Sequence, residues 1–342
     1  MNTLDIQQLR LRLPGTARPV LDGVDLTVAA EETVALVGES GSGKTLTSRS
    51  VLRLLPKGAT AQGSVLVEGE DVLAMTPARL RRLRTHTAAM IFQDPRAAIN
   101  PLRRIGDFLT ESLRLDGGTD AADADRRAGS MLEAVGLTGG VLRQYPDRLS
   151  GGMLQRVMIA AALMGDPALI LADEPTTALD VTTQAEVVAL LGDLQRRFGT
   201  GLLFVTHDLG LAAAISDRVY VMYAGQIAET GPADTLFNRP RHPYTAALLA
   251  STPRLDAPRS DLGPDAPRGS GSGGRFAARL AAIEGQPPSL REALAGCPFA
   301  PRCRYATAVC TEELPEQLPV AGDPVHRVAC HHSDQVAGGE PR

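Results

Sequence analysis

Eight consecutive residues constrain this chain more than any others: Gly38-Glu39-Ser40-Gly41-Ser42-Gly43-Lys44-Thr45, which satisfies the spacing G-x-x-x-x-G-K-[ST]. The apolar run Thr33–Val37 ahead of it reads as a buried strand, and Lys44–Leu55 behind it reads as a helix. Strand, glycine-rich turn and helix in that order let successive backbone N–H groups point inward at phosphate oxygens. The positive end of the helix dipole stands behind them. Gly38, Ser40, Gly41, Ser42, Gly43 and Leu46 are assigned to this cradle, Lys44 to the β- and γ-phosphates, and Thr45 to Mg²⁺ through its hydroxyl. Composition sharpens the case for Lys44. Arginine supplies nearly all the positive charge, and the only lysines are Lys44 and Lys57. A slim ammonium therefore stands at the position where an arginine fork would bind phosphate differently.

A second buried-strand pattern, Leu169-Ile170-Leu171-Ala172, ends on Asp173 and Glu174. Two acids closing a strand are, alone, a solvated strand end. Downstream of a phosphate cradle they become a metal-side acid, Asp173, and a neighbour, Glu174, able to polarise the attacking water. A third element, Leu149-Ser150-Gly151-Gly152-Met153-Leu154-Gln155-Arg156, opens a further helix with a serine and two glycines. Taken singly it is an ordinary helix cap; it is also a second N-terminus with a hydroxyl, suited to an anion.

The rest of the chain fits around these elements. Residues 3–30 alternate apolar and polar as half-buried antiparallel strands do, and Val65–Val67 and Met90–Phe92 read as further strands. From about Asn100 to Leu149 the apolar spacing turns helical, with a polar break at Asp116–Asp125. A helix from near Gly151 through Leu163, a helix over Thr183–Arg197, a strand over Leu202–Val205 and a hairpin over Arg218–Glu229 turning at Ala224-Gly225 complete the pattern. Strands alternating with helices predict a mainly parallel sheet with helices on both faces. This organisation predicts one domain over 1–250, with a helical subdomain at about 100–150, a flexible linker over 251–286 that includes the Pro/Gly/Ser-rich Gly263–Gly274, and an extension over 287–342. The extension has too few large apolar residues for a core of its own, so something other than burial must hold it. A formal net charge of -4 argues against a general nucleic-acid binder. The first residues lack a basic start followed by an apolar stretch, and no apolar run is long enough to span a bilayer, so the chain reads as cytosolic.

The three motifs in this order resemble ABC ATPases, in which Leu149–Arg156 corresponds to the signature motif. Other positions match in sequence: Gln93 resembles the Q-loop glutamine, Ala178-Leu179-Asp180 the D-loop, and His207 the switch histidine. The resemblance implies a P-loop NTPase of the ABC ATPase type, with a RecA-like α/β core, an antiparallel β subdomain, a helical subdomain and here a cysteine-rich C-terminal extension. It implies ATP hydrolysis with Mg²⁺ on Thr45, Gln93 and Asp173, and with Glu174, His207 and Gln93 as catalytic residues. It also implies that Ser150, Gly151, Gly152 and Asp180 serve a nucleotide held by a second ATPase subunit. One departure is plain: where the family places an adenine-stacking aromatic, Arg10-Leu11-Arg12-Leu13 offers none.

The resemblance narrows to the ATPases of oligopeptide, dipeptide and nickel importers. It rests on Phe92-Gln93-Asp94-Pro95 with Asn100-Pro101, on Met153 in the signature, on His242-Pro243-Tyr244-Thr245, on Gly285-Gln286-Pro287-Pro288 and on Gly296–Cys303. Leu154 departs from the basic residue expected there. This branch implies two transmembrane permease subunits, an extracytoplasmic solute-binding protein, a heterodimer of ATPases with a homodimer as the alternative, no nucleic acid, and a peripheral place on the cytoplasmic face of the cell membrane. Cysteines are absent from the first 296 residues, and then Cys297, Cys303, Cys310 and Cys330 arrive together with spacing C-x5-C-x6-C-x19-C. Four thiolates in one segment can hold zinc or an iron–sulfur cluster. The resemblance favours a [4Fe–4S] cluster, with zinc second. Two other classes compete with the transporter reading: an ABC ATPase of repair or translation, which would carry two ATPase halves or a coiled-coil insertion, and a redox-sensing binding module built on the cysteines.

Overall fold

A computed structural model describes residues 2–116, 119–177, 179–251 and 283–337; most of the expected linker, Gly263–Gly274 included, and Ala178 lie outside the described residues. Strands β1 (Asn2–Arg12), β2 (Leu21–Ala29), β4 (Thr60–Val67) and β5 (Glu70–Asp71) form an antiparallel sheet in the order β2-β1-β4-β5. Leu4, Ile6, Leu9 and Leu11 of β1 all face its core, although the step from Ile6 to Leu9 is three residues rather than two. A bulge absorbs the extra residue: both pairings of β1 shift register between Ile6 and Arg10, and Gln8 takes φ +47°.

The second sheet has eight strands in the order β11-β12-β10-β9-β3-β8-β7-β6. Here β3 is Thr33–Val37, β6 Ala88–Ile91, β7 Leu169–Asp173, β8 Gly201–Thr206, β9 Arg218–Tyr223, β10 Gln226–Pro232, β11 Leu318–Val320 and β12 Asp323–Val328. Strands β9, β3, β8, β7 and β6 run parallel. The β9–β10 hairpin turns at Ala224 and Gly225, both with positive φ (49° and 91°), as a twist-matched two-residue turn requires. The mainly parallel sheet expected from the sequence is thus extended by three antiparallel strands, two of them from the C-terminal tail.

The helices are α1 (Lys44–Val51), α2 (Pro77–Arg82), α3 (Pro95–Ala98), α4 (Ile105–Asp116), α5 (Ala121–Ala134), α6 (Gly151–Leu163), α7 (Val181–Phe198), α8 (Leu209–Ile215), α9 (Ala233–Asn238), α10 (Pro243–Ala250), α11 (Ala308–Glu312) and α12 (Ser333–Ala337). Two expected boundaries move. Helix α1 stops at Val51 rather than Leu55, because Arg53 takes φ +50° and the chain reverses before Pro56. The expected polar break is shorter than Asp116–Asp125: Asp120 caps α5 through Ala122 N, and Asp123 and Asp125 are the outer face of a helix that buries Ala124, Ala128 and Leu132.

Alternation along the central strands separates two cores. Leu169, Leu171, Leu203 and Val205 pack with the antiparallel sheet, whereas Ile170, Ala172, Leu202 and Phe204 pack with α4, α5, α6 and α7. A third core lies where the tail docks. Phe299 joins Tyr223 and Tyr244, with ring centroids 5.3 and 5.4 Å away. Beneath it the fully buried Glu229 takes three contacts, from Arg241 N (2.6 Å), His242 N (3.0 Å) and His326 Nε2 (2.7 Å). Burial holds the His242 imidazole neutral, its pKa lowered to about 4 against the pull of Glu229. Its Nδ1 is then free to accept the Tyr244 N–H at 3.0 Å and cap α10.

Candidate active site

Parallel pairing sets the site. Val37 pairs with Thr206, Asp173 with Val205 and Ile91 with Ala172. The ends of β3, β8, β7 and β6 therefore lie side by side, and the loops that leave them carry Gly38–Thr45, His207, Glu174 and Gln93. Carboxyl ends of parallel strands are where open α/β sheets place ligands.

The loop after β3 is shaped by contacts only glycine allows. Gly38 has φ +150°, and a Cβ there would stand 2.2 Å from the Met222 carbonyl oxygen. Gly38→Ala is expected to cost about 2 kcal/mol or more and to weaken nucleotide retention, checked by thermal melting and ligand titration; unchanged melting would refute the fit. Gly43 caps α1 in the left-handed region at φ +111°. Lys44 is buried, and its Nζ donates to the carbonyls of Gly38 (2.8 Å) and Glu39 (3.0 Å), so the ammonium hangs over the loop. Burial lowers its pKa, while Glu174, Asp173 and Glu39 pull the other way. Ser42 Oγ is buried with no partner among the described residues, Ser40 and Gly41 are exposed, and Leu46 packs against the first core.

Thr45 Oγ1 donates to Asp173 Oδ1 at 2.9 Å, which joins the phosphate loop to β7. Asp173 is buried, and desolvation raises its pKa; the Thr45 hydroxyl and Arg49, 3.9 Å away, oppose that rise. Glu174 has φ +48°, uncommon for a residue with a side chain, and its N–H is anchored on Val205 O at 2.9 Å. Its carboxylate faces three groups: Gln93 Nε2 at 3.2 Å and Thr177 Oγ1 at 3.1 Å on one oxygen, His207 Nδ1 at 3.4 Å on the other. A hydroxyl–carboxylate pair for a cation and an oriented carboxylate for a water stand together beside a lysine.

Ser150–Gly152 is not drawn into this group. Ser150 caps α6 through Met153 N at 3.3 Å, and a Cβ on Gly151 or Gly152 would meet Leu179 or Thr183. Asp180 caps α7 by accepting from Thr183 N (3.1 Å) and Thr183 Oγ1 (2.7 Å), bonds that hold its carboxyl below the usual range. Ser150 is exposed, so its helix tip is open to solvent. At the expected adenine position, Leu11 is buried in the first core and Leu13 is half-buried.

Sequence reasoning missed Thr177, Arg49, Tyr244 and Arg302. Thr177 had a local signal, three residues beyond Glu174 in a turn closed by Thr177 N to Glu174 O at 3.3 Å. The other three act across the fold: Tyr244 and Arg302 lay in segments noted only for their family resemblance, and Arg49 carried no signal.

Cys297, Cys303, Cys310 and Cys330 line one cavity, together with His242, Phe299, His331 and His332. His326 is instead committed to Glu229. Burial raises the thiol pKa of Cys297, Cys303 and Cys330, the last to about 11. Tyr305 N–H donates to Cys303 Sγ (3.4 Å) and His332 N–H to Cys330 Sγ (3.3 Å). Among the described residues no group of three or more His, Cys, Asp or Glu is arranged to hold a metal ion. That arrangement supports neither the iron–sulfur cluster nor the zinc site expected from the four cysteines.

This sheet, with a phosphate loop opening α1 and an acid pair closing β7, defines a P-loop nucleoside triphosphatase. The family profile described as ABC transporter matches residues 21–177, and that of the oligopeptide/dipeptide transporter C-terminal region matches 228–279 and 271–310. A probable peptide ABC transporter ATP-binding protein of Sinorhizobium fredii is 42% identical over 97% of this chain and 96% of its own length. A dimeric ATP-binding cassette in a post-hydrolysis state, bound to ADP and Pi, superposes with TM-score 0.60 at 26% identity, over 67% of this chain and 98% of its own. A Clostridium perfringens subunit of an ABC transporter complex has the same fold (TM-score 0.61, 22% identity, 69% and 91% covered). The chain belongs to the ATP-hydrolysing, ATP-binding proteins of ABC transporters. None of the described helices is long and apolar enough to cross a membrane.

Proposed function

We propose that this chain is the ATPase subunit of an ABC importer for oligopeptides or dipeptides, attached to the cytoplasmic face of the membrane. The observation that carries the hydrolytic part of this reading is the convergence of Gln93, Thr177 and His207 on Glu174, beside the Thr45–Asp173 hydrogen bond. In the proposed reaction the N–H groups of Gly38–Thr45 and the Lys44 ammonium hold the triphosphate. The Thr45 hydroxyl, the Asp173 carboxylate and the Gln93 amide oxygen suit Mg²⁺, and the unpartnered Ser42 hydroxyl lies in the same loop. Bound there, Mg²⁺ would supply neutralisation of the triphosphate's charge. Glu174 takes a proton from water as the water oxygen bonds to the γ-phosphorus and the bond to the bridging oxygen breaks, leaving ADP and phosphate. His207 steadies the developing charge.

The Ser150–Gly152 tip, exposed at Ser150, serves the nucleotide of a second ATPase subunit, an arrangement supported by the dimeric state of the related cassette. A heterodimer of such subunits, two transmembrane permeases and an extracytoplasmic solute-binding protein complete the proposed transporter. The peptide cargo is carried over from the Sinorhizobium relative and from the C-terminal family match. Co-expression with the permease and binding-protein subunits of a peptide importer should yield one complex whose ATPase rises with peptide-loaded binding protein. A chain that copurifies with no polytopic membrane protein would overturn the reading.

We further propose that the four cysteines hold a [4Fe–4S] cluster. The shared cavity and the two N–H···S bonds support it, because amide donors stabilise charged cluster sulfurs. Ligation would convert metal-binding free energy into folding free energy for a segment poor in core residues. Protein purified without oxygen should contain iron and acid-labile sulfide in equal amounts, and Cys303→Ser should lose most of both. A colourless, iron-free chain with a folded tail would refute this.

A further inference from the structure

The C-terminal tail reaches the phosphate loop itself. Arg302 lays its guanidinium fork on the Glu39 carboxylate, Nη1 to Oε2 at 2.8 Å and Nη2 to Oε1 at 3.0 Å, with its side chain 5% exposed. Its other N–H groups donate to Tyr223 Oη (3.1 Å), Ile283 O (3.2 Å) and Glu284 O (2.9 Å), so all five arginine donors are used. The guanidinium also lies 5.7 Å from the ring centre of Tyr223 and 5.8 Å from that of Phe299. From the other side, the backbone N–H of Glu39 donates to Tyr244 Oη at 2.7 Å, and Tyr244 is fully buried. Glu39 follows Gly38, and its carbonyl receives Lys44 Nζ at 3.0 Å. One residue of the cradle is thus gripped at its carboxylate, its N–H and its carbonyl, two of those three grips coming from beyond residue 240.

We propose that Arg302 is a positioning residue of the nucleotide site, acting through Glu39 together with Tyr244. The inference rests on the reading of Gly38–Thr45 as the triphosphate cradle. Two physical effects follow. A bidentate, charge-assisted pair fixes the loop before the ligand arrives, so less ordering is left for binding to offset. The guanidinium also neutralises a carboxylate that would otherwise face an incoming polyanion. Lysine supplies the charge without the planar fork and replaces neither effect in full.

The test is a double-substitution cycle on the full-length chain, read as the Kd of mant-ATP with Mg²⁺, with kcat and thermal melting recorded for each variant. Arg302→Gln is expected to raise Kd and KM about tenfold with kcat within about twofold. In a Glu39→Gln background the same substitution should raise Kd by less than about twofold, because the partner through which Arg302 acts is gone. An unchanged Kd for Arg302→Gln, or the same rise in both backgrounds, overturns the proposal, because a residue that merely holds the tail would not distinguish them. Should Arg302→Gln fail to fold, Tyr244→Phe removes only the hydroxyl that receives Glu39 N–H. About threefold weaker binding is then expected, and unchanged binding overturns the proposal. Lys44→Ala in the same assay separates the two readings. If that variant keeps nucleotide, the cradle assignment is what fails; if it loses nucleotide while Arg302→Gln does not, only the positioning role fails.

Discussion

Glu174→Gln should bind ATP within about twofold of the unsubstituted chain and hydrolyse it about 10³-fold more slowly. The substitution keeps the shape of the side chain and both of its contact points. Gln93 and Thr177 can still reach one end, His207 the other, and the backbone stays pinned on Val205 O. What disappears is basicity, since an amide oxygen cannot take the proton that the attacking water must shed. Binding relies on the loop after β3, which the change does not touch. With ATP present, the variant and its partner subunit should collect as a closed pair that elutes as a dimer. Phosphate release within about tenfold of the unsubstituted rate would remove Glu174 from the role of general base.

Lys44→Ala should weaken ATP binding by at least about 100-fold, the consequence of losing two charge-assisted contacts to phosphate worth about 1.5 kcal/mol or more each. Its native position shows why no neighbour can substitute. The ammonium is buried on the carbonyls of Gly38 and Glu39, with Asp173 and Glu174 adding a field that favours a cation there. The other lysine, Lys57, is exposed beyond the end of α1. Lys44→Arg should not restore binding, because a planar fork cannot occupy the narrow space between those carbonyls. A mant-ATP titration giving a Kd within threefold for Lys44→Ala would refute the assignment.

The sequence revealed what depends on neighbours along the chain. Gly38–Thr45, the acids closing β7 and the serine-capped start of α6 are each written in consecutive residues, so backbone geometry and chemistry can be read together. That the central strands run parallel followed from alternation of strand and helix; their order did not. Less local features were hidden. The β1 bulge appears in the sequence only as an apolar step of three where two is expected, and the end of α1 depends on Arg53 reversing before Pro56. The acidic face of α5 resembled a loop because aspartates read as polar wherever they point. The hold on Glu39 comes from Tyr244 and Arg302, separated from it by 205 and 263 residues, and no periodicity links such positions. The tail has few large apolar residues, which suggested that something other than burial holds it, yet Phe299 is buried in the third core against Tyr223 and Tyr244. It gave no hint that β12 would lie on β10.

That docking bears on how the protein can be dissected. A fragment cut after α10 would bare the backbone edge of β10, a template for unwanted strand pairing. It would also strip Glu229 of His326, leaving its carboxylate with only two amide donors from the rest of the chain. Minimal fragments of this chain should accordingly precipitate or melt early, and the shortest well-behaved piece should retain the segment through β12.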